Sequence, residues 1–144
     1  MSDLTPDETR VAVQYGALCY RFTKRDKLRV LLITSRGIGR WVVPKGWPMR
    51  GRTAWETALT EAWEEAGVQG HVSRNCLGSY DYDKWYPDAP LRRCRVRLFP
   101  VEVVDLADDF PEAGQRQRKW VSPRQAAEDV NETDLAQVLL SFSP

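Results

Sequence analysis

Apolar residues recur along this chain with two different periods. Val11 to Phe22 and Leu28 to Thr34 are rich in β-branched and aromatic residues and predict two strands, joined by the charged, turn-like segment Thr23 to Lys27. Ser35 to Gly39 reads as a loop with two glycines, and Arg40 to Val43 as a short strand feeding Pro44. From Thr53 to Gly67 the period lengthens to that of a helix. Beyond it, His71 to Asp83 predicts one strand with aromatic alternation at Tyr80 and Tyr82, and Trp85 to Pro90 a loop. Leu91 to Val104 is the longest strand candidate, with Arg93, Arg95 and Arg97 alternating with Cys94, Val96 and Leu98, a basic face against an apolar one. An acidic loop from Asp105 to Gly114 and a short strand from Arg116 to Val121 follow. Ser122-Pro123 then opens a helix with proline at its first position. A last amphipathic helix carries Leu135, Val138, Leu139 and Phe142 at i, i+3, i+4 and i+7. Residues 1–10 are polar and predict a loose lead-in. This order of elements predicts an α+β fold, one domain over residues 1–144, with helices packed on the faces of a mixed sheet.

The helix between Thr53 and Gly67 is the most sharply specified element. Thr53 is placed to be its N-cap, Glu56 completes a capping box, and Gly67 supplies the left-handed residue that ends it. On a helical projection Trp55, Leu59, Ala62, Trp63 and Ala66 fall on one side, the predicted packing face, and Glu61, Glu64 and Glu65 on the other. Those carboxylates sit at the negative end of the helix dipole and repel one another, which costs a few tenths of a kcal/mol per pair and roughly 0.3–1 kcal/mol each against the dipole. A surface helix with unfavourable charges accounts for the spacing; so does a hard divalent cation held among the carboxylates.

Composition narrows the function classes. A net charge of +1 gives no electrostatic push toward nucleic acid, and no nucleic-acid partner is expected. No run approaches the roughly 18 apolar residues of a membrane span, and the first residues lack a signal peptide's basic and apolar regions, which predicts a cytoplasmic protein without a membrane partner. Cys19, Cys76 and Cys94 are odd in number and widely spaced, and His71 is the one histidine. Reduced, mostly buried thiols are expected, not a zinc cage or a disulfide framework. The sequence does not choose between a monomer and a homodimer.

The loop ahead of the acidic helix decides between the two readings of its charges. Gly46, Glu61, Glu64, Glu65 and Gly67 stand at the spacing of the Nudix box, and Glu61-Ala62-Trp63-Glu64-Glu65-Ala66-Gly67-Val68 preserves its core. The chain therefore resembles the Nudix hydrolases. Arg40 to Gly46 before the box, and Arg116 to Trp120 with Ser122-Pro123 after it, resemble the flanks of the diphosphoinositol polyphosphate and diadenosine polyphosphate hydrolase branch. The resemblance implies an α/β/α sandwich and Mg²⁺-dependent, or Mn²⁺-dependent, hydrolysis of a phosphoanhydride by water attack on phosphorus. It further implies Glu61, Glu64 and Glu65 as catalytic metal ligands, the carbonyl of Lys45 as a further ligand, and Gly46 and Gly67 as motif glycines. Some members take a base from beyond the box; Glu112 and Asp109 are the candidates here, and the sequence leaves both open.

Arg40, Lys45, Arg50 and Arg52 crowd the box loop and are the candidate substrate-binding cations, since guanidinium forks hold phosphate oxygens in bidentate fashion. Solvated side chains, with Arg52 paired to Glu56, are the plainer account of each singly. Arg93, Arg95 and Arg97 are explained almost as well by an exposed strand face and stay outside the candidate site. Trp41 reads as core and Trp47 as a rim residue able to stack on a base. Two positions depart from the box: Arg52 stands where the pattern has glutamate and Thr60 where it has arginine, a loss of both members of an opposite-charge pair. The substrate is expected to be a small polyphosphate, a diphosphoinositol polyphosphate or a dinucleoside polyphosphate. ADP-ribose or another nucleoside diphosphate derivative is the alternative substrate, and a catalytically silent Nudix-like regulator the alternative class.

Overall fold

The strand-forming residues assemble into one mixed eight-stranded sheet in the computed structural model, which describes residues 10–144; residues 1–9, and with them nearly all of the expected lead-in, lie outside the described residues. The strands are β1 (Ala12–Phe22), β2 (Leu28–Thr34), β3 (Trp41–Val42), β4 (Lys45–Gly46), β5 (Val68–Val72), β6 (Gly78–Tyr86), β7 (Ala89–Leu106) and β8 (Arg118–Val121). Three helices join them among the described residues: α1 (Ala54–Ala66), α2 (Pro123–Asp129) and α3 (Thr133–Ser141). The central path runs β3-β2-β1-β7-β5, with β4 on β1, β6 on β7 and β8 on β2. Among the described residues only β1 and β7 are parallel, in register from Ala12 opposite Cys94 to Tyr20 opposite Glu102.

The period-2 pattern sorts the sheet into two faces. Leu18, Val30, Leu32, Val96 and Leu98 point to one side and are covered by Ala126 of α2, Leu135 and Leu139 of α3, and Phe142 just beyond it. Ala17, Cys19, Leu31, Ile33, Phe99 and Val101 point to the other and are covered by α1. The result is the expected α/β/α layering. No helix among the described residues is long and apolar enough to cross a membrane.

Several expectations need correction. Residues 71–83 do not form one strand: the chain loops out between Val72 and Gly78, with Ser73 Oγ accepting from the Asn75 N–H at 3.2 Å. Ser73 N–H and Leu77 N–H still donate to Pro100 and Leu98 of β7. One long β7 thus templates both shorter strands. Residues 85–90 are not a loop but the tip of a β6–β7 hairpin that turns at Pro87-Asp88. The packing side of α1 is also rotated from the predicted one. Its buried stripe is Ala58, Ala62 and Ala66 with Thr57, Glu61 and Glu65, whereas Trp55, Leu59 and Trp63 are only half-buried. Small side chains let the helix approach the sheet closely, and the tryptophans lie along its flanks. Two readings hold in the main: Trp41 packs half-buried against the core, under the Lys119 ammonium 4.0 Å from its ring, and Cys19 and Cys94 are buried while Cys76 is exposed.

Candidate active site

The site is assembled where β4 meets α1. The first half of β1 leaves β2 to pair with β4, placing Tyr15 opposite Gly46 and Gly16 opposite Lys45. Glycine is required at position 16 because a Cβ there would lie 2.7 Å from Val96 and 3.1 Å from the Pro44 carbonyl. The Ala17 N–H donates to that carbonyl at 2.9 Å and pins the loop. This arrangement brings Lys45-Gly46 against the acidic side of α1.

Helix α1 is held as its ends predict. Thr53 accepts from the Glu56 N–H at 3.2 Å and its own N–H donates to Glu56 at 2.8 Å, and Gly67 (φ 72°) closes the last turn onto the Trp63 carbonyl. The helix has no basic residue in its last turn. Arg118 of β8 supplies one through space, donating at 2.9 Å to the terminal Ala66 carbonyl and at 2.7 Å to Ala107.

Glu61 and Glu65 are buried, at 8% and 9% exposure, which is unusual for glutamate. Their carboxyl groups lie within hydrogen-bonding reach of each other, and Glu61 fills the space above Gly46, where a Cβ would come within 2.3 Å of its carboxyl carbon. Burial pushes Glu61 up to about 8, with further upward pressure from Glu65, Glu64 and Glu112. Burial also raises Glu65, opposed by the charges of Arg116 and Lys45 and by the Lys45 backbone N–H, which donates to Oε1 at 3.2 Å. Glu64 is half-buried. Among the described residues no three acidic, histidine or cysteine side chains form a ready-made metal cage. What α1 and β4 provide is a close carboxyl pair with a third carboxylate beside it.

Of the two post-box carboxylates, Glu112 reaches this cluster and Asp109 does not. Glu112 is tied to α1 by its N–H, which donates to the Glu64 carbonyl at 3.0 Å, and it accepts from Arg116 Nε at 2.9 Å; Asp109 is exposed. Arg116 is the residue the sequence reading missed at the centre of the site. Its side chain, 9% exposed, spans Glu112 and Glu65 (3.6 Å from Nη2 to Oε2) and donates to the Thr34 carbonyl at 3.0 Å. An arginine in a short basic strand looks like a surface residue until β8 is placed beside α1.

The candidate phosphate-binding cations divide. Lys45 is half-buried with its ammonium 4.9 Å from the Tyr82 ring centroid, and burial lowers its pKa against the pull of Glu65. Arg40 and Arg50 are exposed. Arg52 does not pair with Glu56; its Nη1 donates to the Thr60 hydroxyl, which in turn donates to the Glu56 carbonyl at 2.9 Å. The two positions that depart from the box therefore bond to each other. Arg93 and Arg95 are neutralised by Asp83 (3.4 Å) and Asp81 (2.8 Å), and Arg97 lies over Phe99.

The NUDIX domain model matches residues 12–142, nearly the whole described chain. The chain belongs to the Nudix family. It is 31% identical over 128 residues to the Arabidopsis thaliana mitochondrial Nudix hydrolase 12, a match covering 78% of this chain; the chain spans 63% of that relative's length. It is 29% identical over 123 residues to mouse diphosphoinositol polyphosphate phosphohydrolase 3-alpha, covering 80% of this chain and 70% of the relative. The crystal structure of a Caenorhabditis elegans Ap4A hydrolase superposes with a TM-score of 0.63 at 19% identity, covering 91% of this chain and 95% of that one, which shows the shared Nudix fold. Organelle locations belong to the plant relatives' names and leave the compartment of this chain open.

Proposed function

We propose that the chain is a Mg²⁺-dependent hydrolase, active also with Mn²⁺, that cleaves a phosphoanhydride bond by attack of water on phosphorus. The observation that carries this reading is the pair of buried carboxyls, Glu61 and Glu65, packed over Gly46 and facing Arg116 and Lys45. Burying two mutually repelling acids on a helix destabilises a protein unless a cation compensates them, and hard oxygen donors fit Mg²⁺. Glu61, Glu64, Glu65 and the Lys45 carbonyl would hold the ion. When bound, it would neutralise phosphate charge and lower the pKa of the attacking water.

The chain's own groups do the remainder. Arg116 and the Lys45 N–H fix the Glu65 carboxylate, and Arg116 also holds Glu112 at the edge of the cluster. The water's oxygen bonds to phosphorus, the bridging P–O bond breaks, and the water proton passes to a carboxylate, for which Glu61 and Glu112 are the groups in place. Lys45 with Arg40, Arg50 and Arg52 would receive phosphate oxygens of the substrate. The names of the relatives support a polyphosphate such as a diphosphoinositol polyphosphate or a dinucleoside polyphosphate. The free thiols of Cys19, Cys76 and Cys94 support a reducing compartment, the cytoplasm.

The test is incubation of the pure protein with Mg²⁺ and a panel of phosphoanhydrides, with product identification. Glu65→Gln is expected to lower turnover at least about a hundredfold while the thermal transition is retained. Undiminished turnover in that variant would refute the assignment.

A further inference from the structure

The β6–β7 hairpin carries its charges in two unlike arrangements. On the face toward α1, Asp81 stands opposite Arg95 and Asp83 opposite Arg93, so each arginine is neutralised across the ladder. On the other face the pairing is reversed in sense. Lys84 stands directly opposite Arg92, a like-charge pair of the kind that destabilises a sheet, and among the described residues neither has an ion-pair partner. Next along this face come Tyr82 and Cys94, opposite each other, and Gln14 of β1, whose side chain accepts from the Tyr82 hydroxyl at 2.6 Å. The Lys45 ammonium rests over the Tyr82 ring, and the Arg92 guanidinium lies 5.5 Å from the Trp47 ring in the box loop. The positive charges of Lys84, Arg92 and Lys45 all reach the Cys94 thiol and oppose the rise that burial imposes on it. Glu132, at the start of α3, is the acidic group that faces Lys45 from the helical side. Lys45, whose backbone N–H donates to Glu65 while its ammonium turns to the face away from α1, thus leads a cationic strip along that face to Lys84 and Arg92.

We propose that Lys84 and Arg92, continuing from Lys45, bind the phosphate groups of the substrate that lie beyond the scissile anhydride, and so set the preference for substrates with additional phosphates. The like-charge pair would then be compensated by ligand, as the acidic pair on α1 would be by the proposed metal. The proposal rests on the hydrolase reading for its orientation, with the reacting phosphorus at the Glu61–Glu65 end. It differs from that reading in the residues it assigns, none of which lies in the box.

Two measurements test it separately from the chemistry. Binding of inorganic tripolyphosphate to metal-free protein, followed by calorimetry, is expected to weaken at least tenfold in the Lys84→Gln, Arg92→Gln double variant, to survive in Lys84→Arg, and to be unchanged in Arg93→Gln on the opposite face. Inositol hexakisphosphate in place of tripolyphosphate distinguishes phosphates clustered on a ring from a linear chain, and tighter binding of either identifies which geometry the strip accommodates. With a substrate that is turned over, the double variant is expected to raise KM at least tenfold for substrates with four or more phosphates, with kcat within twofold, and to leave a two-phosphate substrate unaffected. Wild-type-like binding and KM in the double variant would overturn the strip and leave the hydrolase reading standing. Absent turnover in wild type, with tripolyphosphate binding lost only in the double variant, would sink the hydrolase reading and uphold the strip.

Discussion

Gly46 lies outside the left-handed backbone region, so its role is spatial: it leaves the volume that the Glu61 carboxyl occupies. A methyl group placed there would collide with the far end of a flexible side chain, which can swing away at little cost in stability. In the role proposed for Glu61, displacement by about 1 Å would in contrast cost up to about a hundredfold in rate. Gly46→Ala is therefore expected to fold with a thermal transition close to wild type and to lose activity at least tenfold, a dissociation visible by comparing melting and turnover. Arg52 and Thr60 show the same logic of paired change. The charges expected from the box pattern are absent from both positions, yet the side chains bond to each other, so the link between the box loop and α1 persists as a hydrogen bond. Glu61, Glu64 and Glu65 were legible in the sequence because their spacing is fixed by the helix. Arg116 was not, because its partners Glu65 and Thr34 are 51 and 82 residues distant and only packing joins them.

Element boundaries were most legible where local hydrogen bonds set them. The capping box at Thr53 and the glycine stop at Gly67 on α1 came from side chains within four residues, as did the Ser122 cap of α2, which accepts from the Gln125 N–H at 3.1 Å. Thr53→Ala is expected to cost about 1 kcal/mol, read as a fall in melting temperature of roughly 3–4 °C. The strands were less legible. Residues 71–83 carry strand-forming residues on both sides of Ser73–Leu77, and the break follows from both segments lying along the same β7, which no local pattern reports. The end of α1 posed a puzzle on sequence grounds, since acids crowd the negative end of its dipole. Arg118, brought from β8, answers it by donating to the terminal carbonyl. The dipole is compensated by tertiary structure instead of by the helix's own residues.

For the whole molecule, the buried acids link stability to pH and to cations. Glu61 has its carboxyl raised from an ordinary 4.5 to about 8, and Glu65 is raised as well, so the native state holds protons that the unfolded state releases. The stabilisation this gives is complete below about pH 4.5 and is lost as pH rises through about 8. Because the two carboxyls titrate as a unit, the loss is expected to appear as one broad fall. Asp81, Asp129 and Glu56 have lowered values and act at the acid end, the Cys19 and tyrosine shifts act at the alkaline end, and the lowered value of Lys45, whose contribution grows as pH rises, opposes part of the fall. In chelator-treated protein the melting temperature is expected to fall between pH 5 and pH 8, and Mg²⁺ to restore it more at pH 8 than at pH 5. A flat profile without metal would contradict the burial of the pair. The sequence by itself determined the helix that carries Glu61, Glu64 and Glu65, its caps, the alternating faces of the strands and the family, because each depends on residues a few positions apart. Only the tertiary structure decided that α1 buries its alanines and two of its acids, that Arg116 and Glu112 join the site while Asp109 stays in solvent, and that Lys84 meets Arg92. Those outcomes depend on which strands pair and in what register, which long-range packing sets and local periodicity does not encode.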